Sequence, residues 1–303
     1  MSSTYFNRYL EKRERYTPLS QNHFGPTYPG CRNLDNSFIS NQTNSSQAYE
    51  NWKILIENEI EKGQNFVSLK FGDGDHYFLT QKEIGSAKPG ERALSVPYSE
   101  IDMTPFQAGL DSADFVACES VLTNLSNLEI LRRGKAADFP AEFLYASVAN
   151  RWLIKTFQGR LGIIGASEKI NLIERLLAHN SYRDYLGIQD EIKLVRIPQK
   201  FACDNLKNTI ELLTNQLDLA GDRTYLMGVG HVKFGLVETF KNYKSSQFLD
   251  IGSGIDAMAG VIDVRRPYFA DWTNFRFTNQ SIYSQIDLLQ ATNFGKYILI
   301  PGS

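Results

Sequence analysis

Four short apolar runs in the second half of the chain limit its fold more than any other feature. They are RLGIIGA (160–166), EIKLVRIP (191–198), RTYLMGVG (223–230) and QFLDIG (247–252). Each is apolar throughout instead of alternating, the pattern of a strand covered on both faces. The segments between them have helical spacing. EKINLIERLLAHN puts Ile170, Ile173 and Leu177 on one face, NLKNTIELLTNQLDL does the same with Leu206, Ile210, Leu213 and Leu217, and a third helix runs through Leu236, Val237 and Phe240. Buried strands alternating with amphipathic helices predict βαβ crossovers, and so an α/β chain with a Rossmann-like, mostly parallel sheet flanked by helices. Earlier strands are expected at 66–71 and in DFVACES (114–120), and a last one in KYILIP.

Residues 1–46 read as an irregular extension: 17–46 is rich in Asn, Ser, Thr, Pro and Gly and has no period. Order is expected from SQAYENWKILIENEIEKG, where Tyr49, Trp52, Ile56 and Ile60 form one stripe, Ser46 can cap the helix and Gly63 can end it. With no linker evident after that point, 47–303 is expected to be a single domain. A composition of 42% hydrophobic and 22% charged residues is that of a globular protein, and a net charge of −2 gives nucleic acid no electrostatic reason to bind. Cys31, Cys118 and Cys203 are odd in number and far apart, which argues against a disulfide framework or a zinc knuckle and for a reducing, cytoplasmic setting. No apolar run is long enough to span a membrane, and MSSTYFNRYLEKRERY lacks the apolar core of a signal peptide.

In such a sheet the ligand crevice lies beyond the carboxyl ends of the strands. The residues following each run therefore matter most, among them Gly72, Asp73 and Asp75, Gly165, Ser167 and Glu168, Gly230, His231 and Lys233, and Asp250 to Gly254. Backbone N–H groups at helix starts, backed by lysine, suit a phosphate-bearing ligand. Asp73 and Asp75 stand two apart, so on an extended backbone both carboxylates face one side. Hard oxygens so arranged suit Mn²⁺ or Mg²⁺; the competing interpretation is a solvated turn. Lys70 either aims its ammonium at a ligand or reaches for water. His231 either serves a ligand or caps a helix. FLDIGSGID resembles the first motif of S-adenosylmethionine-dependent methyltransferases, but Asp256 replaces its last glycine and the motif comes late in the chain.

Lys70-Phe71-Gly72-Asp73-Gly74-Asp75 resembles the R-F-G-D-G-E-like motif of the GT-D type glycosyltransferases, a family first recorded as a domain of unknown function. GVGHVKFGLVETF…QFLDIGSGIDAMAG resembles that family's closing glycine–helix–strand segment, and the likeness spans about 50–272. It implies a GT-D type fold and transfer of sugar from a nucleotide-diphosphate donor, UDP- or GDP-linked, to a glycan or other hydroxyl acceptor. It also implies a metal site at Asp73 and Asp75, and donor contacts from Lys70, Gly72, Gly165, Ser167, Glu168, Gly230 and Lys233. Asp256 and His231 are the candidate general bases. Lys for Arg turns a bidentate phosphate contact into a point charge, and Asp for Glu shortens the reach by one methylene. RRPYFADW (265–272) could offer aromatic faces and arginines to an acceptor or pack as core, and LRRGKAADFP (131–140) reads as a loop near the site. The alternatives are a methyltransferase or a non-catalytic nucleotide- or glycan-binding protein.

Overall fold

The computed structural model describes residues 45–81, 94–119, 122–198, 200–217, 221–261, 272, 275–276 and 278–284. The expected strand KYILIP, the extension up to residue 44 and most of RRPYFADW lie outside them.

Helix α1 (Ser45–Glu61) presents Tyr49, Trp52, Ile56 and Ile60 as a buried stripe, and Gly63 ends it with a positive φ of 65°. Strand β1 (Phe66–Phe71) follows, then α2 (Asp73–Leu79), α3 (Thr104–Ser112), β2 (Phe115–Cys118), α4 (Leu122–Leu131) and the two-residue β3 (Phe139–Pro140). After the helices α5 (Ala141–Ala149) and α6 (Trp152–Thr156) come β4 (Leu161–Ala166), α7 (Ser167–Leu177), α8 (Asn180–Leu186), β5 (Lys193–Ile197) and α9 (Leu206–Thr214). The described elements close with β6 (Thr224–Gly228), α10 (Val232–Lys241), β7 (Gln247–Asp250) and α11 (Gly254–Met258). All six strands expected within these residues are present.

The strands form one seven-stranded sheet in the order β3-β2-β1-β7-β6-β4-β5, and every pairing is parallel. The chain starts in the middle of the sheet, builds outward through β2 and β3, crosses to β4 and β5, then returns through β6 and fills the gap beside β1 with β7. Its two halves thus meet at the β1–β7–β6 junction, the kind of place where doubly wound sheets open a ligand crevice.

Alternate strand residues feed two cores. Phe66, Leu161, Ile163, Leu226 and Leu249 pack with α1, α5, α7 and α11 on one face. Val67, Leu69, Phe71, Tyr225, Met227 and Phe248 pack with α3, α9 and α10 on the other. Trp272, the one described aromatic of RRPYFADW, is core: its indole N–H donates to the Val148 carbonyl at 2.9 Å.

The 131–140 stretch is not beside the crevice. Asp138 Oδ2 accepts from the Val116 N–H at 2.7 Å, at the amino end of β2, and buried Arg132 donates to the Ala136 carbonyl. A parallel strand must be entered from its amino end. The approach to β3 therefore lies on the rim opposite the crevice.

Candidate functional site

Gly72, extended at φ −144° and ψ −174°, turns the end of β1 into α2. Helix geometry thus begins at Asp73, and at about 100° per residue positions i and i+2 point apart. This corrects the expectation that strand geometry carries both carboxylates to one side. Asp73 is exposed, its Oδ1 accepting the Gly74 N–H at 2.7 Å. Asp75 is buried and reaches back from the third helical position, where its Oδ2 accepts the Gly72 N–H at 3.0 Å. That bond is the acidic half of a capping box and satisfies one of the helix's orphan donors.

Around Asp75 the junction closes into a charged knot. The turn after β6 delivers His231, whose Nδ1 lies 2.9 Å from Asp75 Oδ1 while its ring stacks on Phe78 at a centroid distance of 4.9 Å and 7°. His231 occupies the N-cap position of α10 but makes no side-chain cap, so the capping alternative falls away. Lys233, the second residue of α10, is 5% exposed; its Nζ lies 3.0 Å from Asp75 Oδ2 and 2.9 Å from Asp250 Oδ2, and it also donates to the Lys70 carbonyl. Asp250 ends β7 just where its ladder to β1 stops at Ser68↔Leu249. It replaces the missing ladder bonds by accepting the Lys70 N–H at 3.1 Å and the Gly252 N–H at 2.8 Å. Burial works against ionising Asp75, but Lys233, His231 and Lys70 outweigh it and hold the carboxyl well below the usual range.

Lys70 does not run to water. Its Nζ lies 2.8 Å from Glu119 Oε1, at the end of β2, and 5.4 Å from the centre of the Tyr145 ring. Tyr145 donates to Glu119 Oε1 at 2.8 Å and Asn124 to Oε2 at 3.2 Å. A Cβ on Gly72 would stand 3.1 Å from Lys70 Nζ, so the glycine leaves that ammonium room to cross the strand end. Burial opposes both charges, yet the pair wins: Glu119 is held below its ordinary value, and Lys70, with Glu119, Asp75 and Asp250 around it, above its own.

On the far flank, Ser167 and Glu168 open α7, and Lys169 pairs with Asp256 of α11. Asp256 thus has a lysine partner and does not join the knot. Gly165 lies inside β4, where a Cβ would come within 2.5 Å of Ile255 Cδ1; it allows α11 to pack closely on the sheet. Gly230 has φ +65° and open space around it, so it permits the turn that presents His231. Of the expected site residues, Lys70, Gly72, Asp75, His231 and Lys233 come together, with Gly230 supplying their turn. Asp73 projects outward, while Gly165, Ser167, Glu168 and Asp256 sit along the flank. Glu119, which directly follows a predicted strand and so belongs to the rim expected to matter, joins the site, as do Tyr145 and Asn124, which nothing local marks.

A divalent ion needs several oxygens with free lone pairs converging at short range. Here Asp75 has one oxygen on His231 and the other shared by the Gly72 N–H and Lys233, Asp250 serves three donors, and Asp73 points elsewhere. Among the described residues no group of three or more His, Cys, Asp or Glu is suited to a metal. So arranged, Asp73 and Asp75 do not fit Mn²⁺ or Mg²⁺ held between them.

Fold and site define an α/β protein with polar groups gathered at the carboxyl rim of a parallel sheet. Three solved structures are similar to it. One, described as a new glycosyltransferase (DUF1792) from Streptococcus sanguinis, is 17% identical with a TM-score of 0.45, the match covering 67% of this chain and 80% of that one. A second, reported as the highly conserved domain of unknown function 1792 with a distinct glycosyltransferase fold, is 16% identical with a TM-score of 0.42, over 64% of this chain and 74% of that one. The third, a selenomethionine-substituted domain of unknown function 1792, is 16% identical with a TM-score of 0.43, over 67% and 83%. No protein-family model and no curated protein matches the sequence. No helix among the described residues is long and apolar enough to cross a membrane.

Proposed function

We propose that this chain is a glycosyltransferase that moves a sugar from a nucleoside-diphosphate donor to a glycan hydroxyl. The observation that carries the reading is the Asp75–His231 pair at the β1–β6 rim. A carboxylate on Nδ1 fixes the imidazole's tautomer and orientation, which leaves Nε2 to take a proton. Nε2 has no partner among the described residues, and a Cβ at position 74 would lie 3.4 Å from His231 Cε1 and 4.0 Å from Nε2, so Gly74 keeps that edge of the ring clear. The KFGDGD resemblance supplies the chemical class.

The acceptor hydroxyl would bond to His231 Nε2. As its oxygen forms the new bond to the anomeric carbon, its proton passes to Nε2, and Asp75 stabilises the imidazolium. The bond from that carbon to the diphosphate breaks, and the diphosphate leaves with the electron pair. Lys70 and the amino ends of α7 and α10 would offset the charge that develops on it. Such a single displacement inverts the anomeric centre.

The methyltransferase alternative needs its strand-end acid open to the cofactor, whereas Asp250 is buried and serves three donors. The test is a panel of UDP- and GDP-sugars, scored for thermal stabilisation and for transfer, each run with Mn²⁺ and with EDTA. His231→Ala is expected to lose transfer about 10²–10⁴-fold while keeping donor binding. Unchanged transfer in that variant removes the base. Binding with no turnover from any donor supports the non-catalytic alternative, and stabilisation by S-adenosylmethionine alone the methyltransferase.

A further inference from the structure

We infer that the ammonium of Lys233 takes the place of a divalent cation at this junction, so that the acidic residues here bind no metal ion while Lys233 is present. An ammonium has three N–H donors. At Lys233 they meet three acceptors: Asp75 Oδ2 at 3.0 Å, Asp250 Oδ2 at 2.9 Å and the Lys70 carbonyl. This is the oxygen surrounding a hard cation would seek, drawn from the ends of β1 and β7 and the start of α2, and a side chain 5% exposed already fills it. The cation arrives on α10, from a different segment of the chain than any of its acceptors. The charge is therefore built into the fold and needs no ion from solution.

The arrangement also sets what Lys233 does. With its donors spent, it touches no diphosphate; it is a positioning residue that keeps Asp75 ionised and aimed at His231. Metal-free transfer follows if the proposed glycosyltransferase reading holds, and that part rests on it. The metal-binding part does not.

Mn²⁺ titration of the whole protein, followed by melting temperature and calorimetry, tests the metal-binding part directly. The wild type is expected to show no saturable Mn²⁺ binding that Asp75→Asn abolishes. Lys233→Ala should leave the Asp75 and Asp250 carboxylates facing an empty position. That variant is expected to melt lower without metal and to regain roughly 5 °C at Mn²⁺ about a hundred times its dissociation constant. The Asp75→Asn/Lys233→Ala double variant should regain nothing. Wild-type Mn²⁺ binding that Asp75→Asn removes would overturn the inference even if Lys233→Ala does not fold, and so would a folded Lys233→Ala that ignores Mn²⁺. A sugar panel in EDTA separates the two claims. Transfer that survives EDTA agrees with both, transfer that needs Mn²⁺ overturns the inference and leaves the glycosyltransferase, and no transfer under either condition fails the functional reading while the titration still decides on Lys233.

Discussion

Asp73 and Asp75 have the same side chain and nearly the same sequence surroundings, yet one faces water and the other anchors the site. The difference comes from one backbone event, the start of a helix at Asp73. A glycine followed three residues later by an acid is a helix-start pattern, so the signal was present in GDGD. An apolar strand running straight into the motif argued for continued extension, and it lost because Asp75 gains a backbone donor, a lysine and a histidine by folding back. The two positions should therefore respond differently to the same substitution. Asp73→Asn is expected to change stability by less than about 0.5 kcal/mol, as exposed positions do. Asp75→Asn leaves Lys233 buried with half its counter-charge and is expected to cost about 3 kcal/mol. Urea denaturation of both variants measures the contrast, and equal losses would mean that Asp75 is not held as described.

At the scale of elements, the sequence predicted each apolar run as a strand because a buried strand needs nothing from its neighbours beyond cover. It could not reveal the order of those strands. That β7 fills the space beside β1 depends on side chains distant in sequence, such as Asp250 on the Lys70 N–H, and no local pattern encodes it. The two-residue β3 has no apolar run to betray it. Glycines misled for a related reason: turn glycines and close-packing glycines look alike in a sequence. Gly165 and Gly228, paired across β4 and β6, both face Ile255 of α11. A methyl on Gly165 would meet only movable ends of Ile255 and Ile170, whereas one on Gly228 would lie 2.2 Å from Ile255 Cγ2 and 2.8 Å from the Gly252 carbonyl. Gly228→Ala is therefore expected to lose about 2–3 kcal/mol and Gly165→Ala about 1 kcal/mol. Adding Ile255→Val should recover part of the Gly165→Ala loss but little of the other, because a backbone oxygen cannot retreat as a side chain can. Thermal denaturation of the three single variants and the two doubles gives the two cycles that check this.

Across the whole molecule, the charged groups at the rim tie together segments that begin at β1, β2, β6 and β7, so their ionisation bears on global stability. Asp75 and Glu119 ordinarily ionise near 3.8 and 4.5, and in the folded chain both are held lower, Asp75 against its burial by Lys233, His231 and Lys70, Glu119 against its burial by Lys70 and Tyr145. A carboxyl with a depressed folded value contributes stability in full above its unfolded value, and that contribution drains away as pH falls toward the folded one. Lys70, raised in the fold from an ordinary 10.5, has the opposite sign: its contribution is complete at neutral and acid pH and is lost only in strong base. Of these three groups, only the two carboxyls lose their contribution in acid. These two groups should contribute no slope between pH 7 and about pH 5.5. Below about pH 4.5 each can add a slope approaching 1.4 kcal/mol per pH unit, beginning with Glu119. Denaturant melts at pH 7, 5.5, 4 and 3 provide the measurement, with the change in slope as the readout, because Asp75→Asn and Glu119→Gln also lower stability at every pH. Each substitution should flatten the acid limb by its own share. An acid limb as steep in both variants as in the wild type would show that the carboxylates opposing burial here are not the ones that acid unfolding protonates.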